Sequence, residues 1–119
     1  MCFALVAAVV TGTTLWSVEE PEPPLPEPRT AQIDVLDGKR RQERTLIDAT
    51  LYSPVHTPAP AVVVTHGFGQ DKNAVADQAR ALARQGFTVL TYSSRGFGAS
   101  TGRIGFNAPE YEVADARQI

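Results

Sequence analysis

Two glycine-rich segments of this sequence contain residue types that are used in catalysis. Residues 66–71 are His-Gly-Phe-Gly-Gln-Asp, and residues 95–102 are Arg-Gly-Phe-Gly-Ala-Ser-Thr-Gly. A histidine can transfer a proton and a serine can act as a nucleophile, so both types occur in nucleophilic catalysis. The segments follow two β-rich runs, residues 61–65 and 87–92. In an open parallel sheet, functional sites lie beyond the carboxyl ends of the strands. The position of both segments therefore favours an enzyme.

The segment between the two runs has the pattern of an amphipathic helix. Val75, Ala79 and Leu82 recur at helical spacing within residues 73–85, and Gly86 follows where a helix would end. Strand, helix and strand together predict a βαβ unit with parallel strands and a right-handed crossover.

Two further strands are expected before this unit. Residues 33–36 and 47–52 alternate between apolar and polar side chains, which is the period of a half-buried strand. A turn at Asp37-Gly38 separates them and predicts an antiparallel pair. Residues 109–119 are predicted to begin another helix, and they carry no helix-ending signal. We therefore expect an α/β fold in which the later elements are missing.

The amino-terminal 30 residues differ in composition from the rest. Residues 1–16 are apolar and uncharged, about as long as the apolar part of a signal peptide. Residues 17–30 are rich in proline and glutamate, which predicts an extended linker that buries no apolar surface. We expect an export signal or membrane anchor, a linker, and a folded domain over residues 31–119. This organisation predicts a secreted or membrane-anchored protein outside the cytoplasm.

Composition excludes several classes of protein. The 119 residues are 43% hydrophobic and 20% charged, which fits a single globular unit, and the formal net charge is −2. Lys39-Arg40-Arg41 is the only cationic cluster, so no nucleic-acid partner is expected. The single cysteine, Cys2, provides neither a disulfide framework nor the spacing of a metal site. No metal and no cofactor are expected.

The segments described above resemble the amino-terminal part of an α/β-hydrolase. The resemblance covers about residues 32–119 and is strongest to the X-prolyl dipeptidyl peptidase-like group, which includes serine peptidases and acyl-ester hydrolases. The residues that carry it are HGFGQDKNAVADQARALARQGFTVLTYSSRGFGASTG and PEYEVADARQ. It implies a partial α/β-hydrolase fold, a serine-aspartate-histidine triad and a peptide or ester as the small-molecule substrate.

In this family the nucleophilic serine lies in a G-x-S-x-G turn between a strand and a helix. Residues 98–102 match that pattern literally, but Ser100 lies well past the preceding strand and more loop follows it. We therefore reject Ser100 as the nucleophile. The catalytic histidine follows the serine in this family, so His66 is interpreted as a structural residue that bonds the loop backbone, and His56 as a surface residue. No catalytic side chain is expected within this chain, which should be inactive alone.

The resemblance assigns one catalytic contribution to the first loop. The backbone N–H of Phe68 is expected in the oxyanion hole, with Gly67 and Gly69 allowing the backbone to approach the substrate. Arg95 is expected to support the second loop through an ion pair with an acid such as Asp115 or Glu112.

Two functions are alternatives to a hydrolase. A dinucleotide-binding domain also begins with a βαβ unit, but residues 66–69 lack the spacing of G-x-G-x-x-G, and Tyr92-Ser93 stand where an acid is needed. An exported, non-catalytic binding module on the same fold is the stronger alternative, since no complete triad is present.

Overall fold

A computed structural model describes residue 21, residues 23–38 and residues 42–119. It contains one mixed four-stranded sheet with strand order β1-β2-β4-β3. The strands are β1 (Arg29–Asp37), β2 (Glu43–Tyr52), β3 (Ala61–Thr65) and β4 (Thr88–Tyr92). A 3₁₀ turn (Lys72–Val75) leads into α1 (Ala76–Arg84), and α2 (Glu112–Ala116) follows β4. The predicted α/β class is confirmed. The predicted apolar segment over residues 1–16 lies outside the described residues.

The predicted antiparallel pair consists of β1 and β2. Their register runs from Arg29 opposite Leu51 to Asp37 opposite Glu43. The alternation directs Val35 and Ile47 into a fully buried cluster with Ala49 and Tyr92. Strand β1 begins two residues before the predicted start of the domain.

The predicted βαβ unit is also confirmed. Strands β3 and β4 are parallel, with Ala61 opposite Thr88 and Thr65 opposite Tyr92. The connecting helix is shorter than the predicted span of residues 73–85, because its first turn is 3₁₀. The Asp71 carboxylate accepts a hydrogen bond from the Asn73 N–H at 2.8 Å and so caps that turn.

A second cluster joins α1 to the sheet and also includes the proline-rich segment. Its buried members are Tyr52, Ala79, Ala83 and Val89. Leu25 packs against this cluster and is half-buried. The prediction that the linker buries no apolar surface is therefore wrong at Leu25, the one large apolar side chain among the prolines.

The carboxyl-terminal segment packs against the outer strand β1. Helix α2 is five residues long, shorter than the predicted 109–119. The Gln118 side chain donates to the Leu36 carbonyl and accepts from the Leu36 N–H, both at 3.0 Å. On the opposite side of the sheet, β3 has one neighbouring strand, and the Val63 residue is 55% exposed. None of the described helices is long and apolar enough to cross a membrane.

Candidate active site

Both glycine-rich loops begin at the same edge of the sheet. Strands β3 and β4 are parallel neighbours and end opposite each other, at Thr65 and Tyr92. The loop after β3 (residues 66–71) and the loop after β4 (residues 93–107) therefore leave the sheet side by side. This is the position where sites form in parallel α/β sheets.

His66 connects the two loops through both of its ring nitrogens. Its Nε2 atom accepts a hydrogen bond from the Ser94 N–H at 2.9 Å, and its Nδ1 atom lies 2.7 Å from the Gly67 carbonyl oxygen. A backbone N–H can only donate and a carbonyl can only accept, so the ring is neutral with its proton on Nδ1. Since both nitrogens are occupied by backbone groups, His66 has the contacts of a structural histidine.

A pocket of about 220 Å³ lies between the loops. The residues lining it are His66, Gly67, Phe68, Ser94, Phe97, Ile104, Phe106, Asn107 and Glu112. Among the described residues, no acceptor is hydrogen-bonded to the Phe68 N–H. Gly69 follows with φ of +81°, a left-handed conformation that favours glycine. The turn thus leaves a backbone donor beside the pocket without a partner in the described part of the chain. The oxyanion role of Phe68 remains a prediction.

Ser100 is attached to the sheet rather than exposed at the pocket. Its hydroxyl donates to the Ser93 carbonyl at 2.6 Å and accepts from the Asp48 N–H at 2.9 Å. Thr101 continues the same attachment, because its N–H bonds the Leu46 carbonyl at 2.9 Å. Residues 100 and 101 therefore form hydrogen bonds to the part of β2 that lies beyond the end of β4. No described serine hydroxyl is hydrogen-bonded to a histidine ring.

Replacing Ser100 by alanine should therefore reduce stability rather than chemistry. The loss of two hydrogen bonds to buried backbone groups should lower the free energy of unfolding by about 1–3 kcal/mol. Urea denaturation of the intact protein measures this loss. The control is Ser94→Ala, which should cost less, because the Ser94 hydroxyl has one contact, 3.5 Å from Thr65 Oγ1. Unchanged stability together with complete loss of hydrolysis would show instead that Ser100 is the nucleophile.

Arg95 forms a buried, bidentate ion pair with Asp115. Its Nε and Nη2 atoms lie 2.8 and 3.0 Å from the two carboxylate oxygens, and each side chain is 2% exposed. The guanidinium also lies 4.9 Å from the centre of the Tyr111 ring. Burial, and to a smaller extent the negative charge of Glu112, raise the pKa of the Asp115 carboxyl despite the opposing effect of Arg95. Of the two predicted acids, the partner is Asp115. The pair fixes the second loop to α2.

Glu112, the other predicted acid, stabilises the far end of the second loop. Its carboxylate accepts hydrogen bonds from the Gly105 N–H and from the Ala108 N–H, the latter at 3.1 Å. The carboxylate therefore bridges the two ends of a short segment, residues 105–108.

Sequence reasoning missed a second buried ion pair beneath the first loop. Lys72 Nζ lies 2.6 Å from Asp48 Oδ1, and the side chains are 9% and 11% exposed. The Lys72 N–H also donates to the Ser93 hydroxyl at 3.1 Å. The sequence held no local signal for this pair, because Asp48 occupies a polar position of the alternating pattern in β2, whereas the structure buries both faces of the strand over residues 47–50.

The second histidine predicted from the sequence lies outside the pocket. His56 is exposed, in the connection before β3. Within the described part of the chain, no group of three histidine, cysteine, aspartate or glutamate side chains could hold a metal ion.

Comparison with a family model identifies the superfamily of this arrangement. The model described as serine aminopeptidase, S33, matches residues 56–119, which include both loops and the βαβ unit. No curated protein matches the sequence significantly.

Several solved structures share the fold. An enol-lactonase from Burkholderia xenovorans LB400 is 30% identical, with a TM-score of 0.54 over 62% of this chain and 28% of that one. A bromoperoxidase from Bacillus anthracis is 25% identical, with a TM-score of 0.54 over 74% of this chain and 29% of that one. Epoxide hydrolase A from Mycobacterium thermoresistibile is 22% identical, with a TM-score of 0.54 over 77% and 27%. The chain spans less than a third of the length of each of these structures.

Proposed function

Because this chain belongs to the serine aminopeptidase S33 family of the α/β-hydrolase superfamily, we propose that the intact protein is a serine hydrolase of peptides or esters. The observation that carries the proposal is the Phe68 N–H, which has no acceptor within residues 23–38 and 42–119 and belongs to a loop that lines a pocket at the carboxyl ends of two parallel strands. A backbone donor fixed at this position can stabilise negative charge on the oxygen of a reacting carbonyl.

The proposed mechanism is acyl transfer through a serine ester. A serine hydroxyl adds to the carbonyl carbon while a histidine accepts its proton, and the carbonyl oxygen becomes an oxyanion bound by the Phe68 N–H. The bond to the leaving group then breaks, and the histidine returns the proton to the leaving group. Water repeats the sequence and releases the acid. Because Ser100 and His66 are hydrogen-bonded to backbone groups, neither is proposed as the nucleophile or the base.

Within the superfamily, two groups of serine enzymes are candidates. The similarity of the two loops favours the X-prolyl dipeptidyl peptidase-like group, whereas the matched family is named for aminopeptidases. Both names describe cleavage near the amino end of a peptide. The finer proposal is therefore a peptidase or esterase of the X-prolyl dipeptidyl peptidase-like group, acting on a small peptide or ester.

A fluorophosphonate probe, which modifies activated serines covalently, tests this function in the intact protein. We expect stoichiometric labelling at a serine outside residues 1–119, together with hydrolysis of p-nitrophenyl acetate. Rates on alanine and glycyl-proline p-nitroanilides then distinguish the two groups. Labelling at Ser100 would contradict the assignment of the nucleophile. Absence of both labelling and hydrolysis would favour the alternative, a non-catalytic binding module.

The proposal includes export from the cytoplasm. The support is the apolar composition of residues 1–16, followed by the proline-rich segment. Expression of the intact protein with a carboxyl-terminal tag, followed by cell fractionation, tests it. Recovery of the tagged protein in the cytoplasm alone would contradict export.

A further inference from the structure

Three phenylalanine rings form a continuous wall beside the pocket. Phe97 contacts His66 and Phe68 edge-to-face, with ring centres 5.4 and 5.5 Å apart. Phe106 stacks on Phe68 with centres 5.8 Å apart and ring planes 17° apart. The two loops therefore meet through aromatic contacts at the mouth of the pocket.

Two of these rings have large exposed surfaces among the described residues. The Phe68 and Phe106 residues are 74% and 77% exposed in this part of the fold, and both line the pocket.

The backbone that presents Phe106 is also strained. Phe106 and Asn107 have φ values of +56° and +60°, a left-handed conformation that is unfavourable for residues other than glycine. Glu112 holds this segment from both sides through its hydrogen bonds to Gly105 and Ala108. The Glu112 carboxylate thus stabilises a strained backbone turn that places the Phe106 ring at the pocket, and this placement favours a role in binding.

The composition of the pocket limits what can bind there. Its described lining contains no lysine or arginine, His66 is neutral, and Glu112 is the one acidic residue. A negatively charged group has no cationic partner here. An uncharged, flat, apolar group can instead stack on the rings, as aromatic pairs do in proteins.

We propose that Phe68, Phe97 and Phe106 form a substrate subsite for an uncharged aromatic group next to the scissile carbonyl. This inference rests on the proposed hydrolase function, because it places the group beside the Phe68 N–H. It narrows the substrate class to esters or peptides with an aromatic or similarly flat apolar group adjacent to the cleaved bond.

Selectivity measurements on the intact protein test the subsite. The probes are two matched ester pairs, p-nitrophenyl phenylacetate with p-nitrophenyl acetate, and benzyl acetate with ethyl acetate. They place the aromatic group on the acyl side and on the leaving-group side. An aromatic contact of about 0.5–1.5 kcal/mol corresponds to roughly a 2- to 12-fold preference. Within one pair, Phe106→Ala should reduce by that factor the kcat/KM for the aromatic ester relative to the kcat/KM for the aliphatic ester. Phe106→Tyr keeps the ring and should preserve this preference.

Failure of the subsite can be distinguished from failure of the function. Hydrolysis with both ratios unchanged in Phe106→Ala would overturn the subsite and leave the proposed function intact. No fluorophosphonate labelling, together with no hydrolysis of the four esters or of the p-nitroanilides, would overturn the function. In that case the probe is benzyl alcohol, which should shift the Phe68 amide resonance in the wild type and not in Phe106→Ala. Identical shifts in both proteins would overturn the subsite as well.

Discussion

Replacement of Arg95 by alanine is expected to lower the free energy of unfolding of the intact protein by about 3–5 kcal/mol. The substitution leaves the Asp115 carboxylate 98% buried without its bidentate partner. It also removes the cation above the Tyr111 ring and separates the second loop from α2. Denaturation by urea, followed by circular dichroism, measures the loss.

Two further variants show that the loss comes from an unpaired buried charge. Arg44→Ala is the matched control, because Arg44 pairs with Asp34 on the surface and its side chain is 71% exposed. It should have little effect on stability, as is usual for exposed ion pairs. The double variant Arg95→Met/Asp115→Leu removes both charges and should recover most of the stability, since burial already raises the pKa of Asp115 and makes its ionised form costly.

The alternative role for Arg95 is recognition of a substrate carboxylate. Arg95 is 2% exposed, and Asp115 already occupies its guanidinium. We therefore expect KM for uncharged and carboxylate-bearing substrates to change by the same factor in Arg95→Ala. A large rise in KM for the carboxylate-bearing substrate alone, at an unchanged melting temperature, would contradict the structural role.

The elements that could be predicted from sequence are those whose signal is local. The alternation in β1 indicates which face is buried, and the 3.6-residue spacing in α1 indicates which side packs on β4. In β2 the alternation predicts the strand but not its burial, because residues 47–50 are buried on both faces. The glycine loops then follow from where the strands end. These features require no knowledge of distant partners, and they account for the sheet and for the position of the pocket.

Features that depend on distant partners could not be predicted in the same way. Lys72 and Asp48 are separated by 24 residues, and their pairing arises only when the 3₁₀ turn packs over β2. The contact of Leu25 with the second cluster needs the chain to fold back along α1. The aromatic wall joins Phe68 to Phe106 across two loops whose conformations include a left-handed non-glycine pair. Local sequence patterns carry no information about such contacts.

Removal of the Phe68 N–H is expected to reduce kcat of the intact protein about 10²- to 10³-fold, the usual loss for one oxyanion donor. Incorporation of phenyllactic acid at position 68 replaces the backbone amide by an ester and keeps the side chain. The same replacement at position 69, with glycolic acid, is the control. Because Phe68 is the predicted donor, the exchange at Gly69 should have a much smaller effect on kcat.

The division of the effect between kcat and KM separates catalysis from structure. An oxyanion donor acts on charge that develops in the transition state, so KM should change little while kcat falls. A boronic acid inhibitor, whose tetrahedral adduct carries that charge, should bind more weakly by a similar factor. The ester exchange also weakens the Gly67 carbonyl, which accepts hydrogen bonds from His66 and from the Gln70 N–H. Damage to the loop would therefore lower the melting temperature and raise KM. That result, with kcat unchanged, would contradict an oxyanion role for Phe68.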